Sequence, residues 1–161
     1  MSKFLFFLLS FAFFLPTLCS AQNSAPDSLF EKEIHRFINA WHHAAAVADE
    51  ATFFGSMAAD AMYVGTDASE RWRRDELKTW SKKYFDGDSA WAFKVLQRHI
   101  YHSDDWQYVW FDETLDTSMS VCRGSGVLRR QPNGAWLFQQ YVLSAAVPND
   151  VMKDYLKILK K

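Results

Sequence analysis

The apolar residues change their spacing near Ala90, and that change limits the folds open to this chain. Up to Phe85 they recur three or four apart, as on helices; beyond it they alternate, as on strands. Ser28 and Glu31 read as a capping box opening a first helix, with Phe30, Ile34, Phe37, Ile38, Trp41, Ala45 and Ala48 as its stripe. Asp49 reads as the cap of a second helix, Glu50 to Ala59, carrying Phe53, Phe54 and Met57 inward. Met62 to Thr66 is a short apolar strand. A third helix fits Arg74 to Phe85, with Asp75 and Glu76 at the positive end of its dipole and Asp86-Gly87-Asp88 as its stop.

Past Ala90 the alternation predicts three long strands: Trp91 to His102, Gln107 to Thr117, and Met119 to Gln131. Pro132-Asn133-Gly134 is a hairpin signal, since Asn-Gly tolerates the positive φ angles of such a turn. A last strand runs from Trp136 to Ala145, and a short helix from Asp150 to Lys161. Helices segregated before an antiparallel meander describe an α+β domain whose curved sheet wraps on the first helix. Gly124 and Gly126 inside one strand predict a bulge or sharp bend.

The first 21 residues have another character. Lys3, the apolar run Phe4 to Leu15 broken only by Ser10, Pro16, and small Cys19 and Ala21 follow the order of a secretory leader cleaved after Ala21. The run is shorter than the roughly 20 residues that span a bilayer, so no stable membrane span is expected after cleavage. Leu18 before Cys19 argues against a lipid anchor. The organisation is a leader at 1–21, a linker at 22–27, the domain at 28–147 and an amphipathic helix at 148–161. Export to a periplasmic or secreted location follows. Cleavage leaves Cys122 as the one cysteine, which forbids an internal disulfide, so the apolar core must hold the fold. A formal charge of -1 supplies no general attraction for nucleic acid.

Five segments carry a family resemblance: WHHAAAVAD (Trp41 to Asp49), GTDASERW (Gly65 to Trp72), WFDETL (Trp110 to Leu115), CRGSGVL (Cys122 to Leu128) and QYVLSAAVPN (Gln140 to Asn149). In this order they resemble the SnoaL-like group of the nuclear transport factor 2-like superfamily. The resemblance implies a cone-shaped, barrel-like α+β roll: three N-terminal helices packed on a strongly curved, mainly antiparallel sheet, plus a C-terminal helix. It also implies a concave pocket. It does not imply one reaction, because the superfamily holds isomerases, cyclases, hydrolases and transport factors.

Candidate site residues follow from strand alternation. Val109, Phe111, Glu113 and Leu115 share one face, which sets Glu113 in an apolar wall where desolvation would raise its pKa. Leu96, Arg98, Ile100 and His102 group likewise, so Arg98 can face Glu113; Arg123 is a second candidate partner. A structural ion pair is the first reading of these charges, ligand contact the second and catalysis the third. His42 lies one turn after Ile38 at the edge of the apolar stripe and is the other candidate base. His43 points about 100° away from it, so the two do not read as a metal pair. No metal and no cofactor are expected. Tyr63 and Tyr141 are strand tyrosines suited to a ligand oxygen. Asp67, Glu70 and Trp72 join the candidate ligand contacts at the pocket mouth, where the two carboxylates read first as a network beside Arg71, Arg73 and Arg74 at the start of the third helix.

The leading expectation is an exported domain that binds a small, largely apolar ligand in its pocket. One alternative is a proton-transfer or hydrolytic enzyme with Glu113 or His42 as base. The other is a homodimeric interaction module that uses an aromatic face of Trp106, Tyr108 and Trp110 and the basic C-terminal helix.

Overall fold

The computed structural model of the chain describes residues 25–160; the leader and its cleavage site lie outside them. Ten elements follow in order: α1 (Ala25–Ala46), α2 (Glu50–Gly55), β1 (Met57–Val64), β2 (Arg71–Arg73), α3 (Arg74–Phe85), β3 (Lys94–His102), β4 (Tyr108–Thr117), β5 (Ser120–Arg130), β6 (Trp136–Ala145) and α4 (Met152–Leu159). One six-stranded sheet, ordered β2-β1-β6-β5-β4-β3, bears the helices. β1 runs parallel to β6, and every other pairing is antiparallel. The architecture is the α+β cone expected. Among the described residues no helix is long and apolar enough to cross a membrane.

α1 is the axle of the core. Ile34, Ile38, Trp41, Ala44 and Ala45 are buried on its inner stripe. The Trp41 ring stacks on Phe53 at 4.7 Å and meets Phe138 at 4.2 Å and Tyr141 at 4.8 Å, so one side chain ties α1 to α2 and β6. Its indole N–H donates to the Phe53 carbonyl at 3.2 Å, which satisfies the only polar atom the ring buries. Cys122 is buried in the same core.

Several boundaries differ from the sequence reading, each for a local reason. α1 starts at Ala25, inside the expected linker, which puts Pro26 in the first turn where its missing N–H costs nothing. α2 stops at Gly55 rather than Ala59. The Ser56 carbonyl accepts the Phe138 amide at 2.9 Å, and Met57 pairs with Phe138, so β6 draws the alanine-rich stretch into β1. The Asp49 cap forms as expected, its carboxylate accepting the Thr52 amide at 3.0 Å. β3 begins at Lys94, three residues after the expected Trp91. At the β5–β6 turn only Gly134 takes a positive φ, of 85°; Asn133 does not.

β2 was not legible in the sequence. It pairs with β1 through Tyr63 opposite Trp72, so Gly65 to Glu70 is a hairpin loop and not the start of α3. The carboxylate that serves α3 is Glu76, which accepts the Arg73 amide at 2.8 Å.

The expected aromatic face forms only in part. Tyr108 and Trp110 are exposed, and Trp110 stacks with Tyr101 at 6.2 Å. Trp106 instead takes a φ of 56° and folds back onto His102 at 3.8 Å and Phe30 at 4.4 Å. Among the described residues α4 buries no side chain.

Candidate functional site

Two carboxylates, Glu113 and Glu70, organise two neighbouring regions of the cone. In the first the carboxylate itself is sealed, although His42 and Asn39 beside it line an open cavity of about 320 Å³ with His43, Phe93 and Val95. Glu113 lies on β4 among the buried residues Val109, Phe111 and Leu115, as alternation requires, and is 2 % exposed. Arg98 is its direct cross-strand neighbour on β3. The Arg98 Nε donates to Oε2 at 2.8 Å, and Nη2 lies 2.7 Å from the same oxygen as an ion contact without hydrogen-bond alignment. On the other oxygen, Oε1 accepts from His42 Nε2 at 2.8 Å and from the Tyr141 hydroxyl at 3.0 Å. Arg98 Nη1 reaches back to α1, donating to Asn39 Oδ1 at 2.9 Å. The His35 carbonyl and ring lie 3.4 Å from the same nitrogen.

The reach from β4 to β6 depends on β5 between them. Gly124 stands directly opposite Glu113. A Cβ there would fall 2.9 Å from the Glu113 Cγ and would collide with the Tyr141 hydroxyl. Gly126 does the same for Phe111, whose ring carbons would lie 2.7 and 2.8 Å from an added Cβ. The register of β5 against β4 is unbroken through both glycines, and the irregularity lies at Val127/Leu128 on the β6 side. The glycines thus make room for side chains and do not form the expected bulge at their own positions.

The expected rise in the Glu113 pKa is not found. Burial pushes the carboxyl up, but the hydrogen bond and charge of His42 and the Arg98 guanidinium outweigh it and hold the pKa below the ordinary value. Tyr141 is driven well above the usual phenol range by burial and by the adjacent Glu113 charge, so its hydroxyl stays a donor. His35 is lowered by burial and by Arg98.

Two expected members of this cluster are elsewhere. Arg123 is exposed, one residue out of phase with Gly124, and lies beside Ser144 and Pro148. Leu96 is 53 % exposed because β3 is irregular between Val95 and Gln97, which turns Val95 inward in its place. His35 and Asn39 were missed. With His42 they stand at positions i, i+4 and i+7, one polar row beside the apolar stripe of α1, and that spacing was the available signal. His43 is exposed and takes no part.

The second region is open. A pocket of about 180 Å³ is walled by Tyr63, Trp72, Trp80, Trp91 and Phe93, with Leu77 and Leu143 behind them. Glu70 is the one charged residue in its lining. Tyr63 divides the two regions: its ring packs 5.5 Å from Tyr141 and 6.4 Å from Trp72. Asp67 stays outside, its carboxylate accepting the Ser69 amide at 2.8 Å and hydroxyl at 2.6 Å to brace the hairpin loop. The loop arginines also point away. Arg71 and Arg73 flank Trp72 and are exposed, as alternation along β2 requires, and Arg74 pairs with Asp75 at 2.8 Å.

The family model for the SnoaL-like domain matches residues 34–148, which takes in every strand and both regions just described. This chain belongs to the SnoaL-like domain family. Solved structures agree on the fold of this SnoaL-like protein. A Streptomyces avermitilis protein of the NTF2-like family superposes with a TM-score of 0.63 at 15% identity, over 76% of this chain and 99% of the other. An NTF2-like protein of unknown function from Pseudomonas putida gives 0.62 at 15% identity, over 77% and 92%. A ketosteroid isomerase-like protein from Erwinia carotovora gives 0.53 at 16% identity, over 71% and 95%. No curated protein sequence matches the SnoaL-like chain.

Proposed function

We propose that this SnoaL-like domain binds a small, largely apolar ligand in the aromatic rim pocket, and that the buried charge cluster beside it is structural. The carrying observation is the contrast in access. The five-ring pocket is open, whereas both oxygens of Glu113 already accept from protein donors. A general base needs a free lone pair facing substrate and a pKa near the working pH. Glu113 has its acceptor sites filled and its pKa lowered, which supports binding over proton transfer there. Pockets of this type are mostly apolar with few polar groups that orient the ligand, and Glu70, Thr66 and Ser118 fill that part.

Thermal unfolding across a library of small metabolites tests the proposal. A ligand at a hundred times its Kd adds about 2.7 kcal/mol, several degrees of Tm for a domain of this size. Trp80→Ala, at an exposed wall of the pocket, is expected to abolish that shift while leaving the unliganded Tm nearly unchanged. A library in which no compound moves the Tm of the folded protein overturns the reading.

A further inference from the structure

The rim pocket combines five aromatic rings with a single carboxylate, and the two features together restrict what it can hold. Glu70 Oε2 accepts one neutral donor, the Asp67 amide at 3.2 Å. Among the described residues no lysine, arginine or histidine forms an ion pair with it. The cations nearest in sequence are held elsewhere, Arg71 and Arg73 in solvent and Arg74 on Asp75. The chain also keeps space for this carboxylate: a Cβ on Gly65 would collide with Glu70 Oε2 and lie 2.9 Å from its Cβ. Gly65 has no positive φ that would otherwise call for glycine.

We propose that the rim pocket recognises an organic cation, an ammonium head group carrying apolar substituents, with Glu70 as its counter-charge and the faces of Trp72, Trp80 and Tyr63 around it. The inference rests on the rim pocket being the ligand site and names its ligand class. A neutral apolar ligand would strip water from Glu70 and return nothing to the carboxylate. An anion would be repelled. A cation offsets the desolvation and gains from the electron-rich ring faces, an attraction that strengthens as water leaves. Trp72 and Trp80 pack on each other, 4.5 Å apart at 32°, so the faces left for a cation are the outer ones, with Tyr63 6.4 Å from Trp72. Burial first, and then the Glu70 charge, push the Tyr63 phenol upward, so that ring stays neutral. At about 180 Å³ the pocket suits a head group or small amine better than a drug-sized molecule.

The test is a tryptophan-fluorescence titration with choline and with 3,3-dimethyl-1-butanol, its uncharged carbon isostere. Choline is expected to saturate with a Kd at least roughly tenfold below that of the isostere. Glu70→Gln, which keeps an acceptor for the Asp67 amide, is expected to bring the two to parity by weakening choline alone. Trp80→Leu, at a ring 41 % exposed, is expected to weaken choline more than the isostere. Equal binding of the two probes, or a preference that survives Glu70→Gln, overturns the cation proposal and leaves the apolar-pocket reading standing. If neither probe saturates the folded protein, the cation proposal is overturned and the metabolite library alone decides the apolar-pocket reading.

Discussion

Glu113 and Glu70 are the same side chain in two settings a few residues of aromatic wall apart, and their partners set their roles. Glu113 is sealed and answered from three directions, by α1, β3 and β6. Glu70 is half-buried, lines an open pocket, and takes one weak neutral hydrogen bond. A buried charge that the protein itself neutralises becomes part of the framework. A charge left unanswered at a pocket wall favours a ligand of opposite sign. The lesson is that burial alone does not mark a functional carboxylate; the unfilled acceptor sites do.

The contrast breaks most readily at Arg98. Arg98→Met leaves Glu113 buried without its cation, which is expected to cost about 3–5 kcal/mol in urea unfolding. Glu70→Gln, by contrast, should move stability by less than about 0.5 kcal/mol. Comparable losses for the two variants would show that the sealed and open regions are not energetically distinct.

A smaller effect tests the space that Gly124 provides. Gly124→Ala is expected to cost about 1–3 kcal/mol by overpacking. Tyr141→Phe removes the hydroxyl the new methyl would strike, so Gly124→Ala should cost less in that background. A double-mutant cycle on denaturation midpoints reads the coupling. Strict additivity would mean that Gly124 serves some other need of β5.

The smallest effects appear in the pH dependence of stability. Glu113 has a lower pKa folded than unfolded. Its contribution is therefore complete above the unfolded glutamate value of about 4.3 and is lost as pH falls toward the folded value. Tyr141 and Tyr63 are raised, so theirs holds below about pH 10 and is lost as pH rises past it. Glu113→Gln should flatten the acid limb and Tyr141→Phe part of the alkaline limb, measured as Tm against pH. An unchanged acid limb in Glu113→Gln would remove Glu113 from the stabilising network.

Much of the scaffold was legible because period and alternation are local signals. α3 and β6 fall at their expected ends, and the inward row Val109, Phe111, Glu113 and Leu115 follows from alternation alone. Errors arose where distant chain decided the local state. β1 begins five residues early because β6 offers a partner at Phe138. SERW reads as a helix start until β1 pairs with Trp72. The alternation that placed Glu113 failed for Leu96, because one irregularity in β3 reverses the face of everything before it.

The sequence by itself determined the family, the α+β order, the aromatic core around Trp41 and the inward place of Glu113, since each depends on residue type and near-neighbour spacing. Tertiary structure alone decided which charges meet. Glu113 finds Arg98 15 residues away but His42 71 residues away, across α1 and β4. Glu70, with three arginines in its own segment, pairs with none of them. A two-residue alternation on β2 turns its neighbours to solvent while the hairpin turns Glu70 to the pocket. Charge pairing is a matter of distance in space, and that distance is set by strand register, which no short stretch of this sequence encodes.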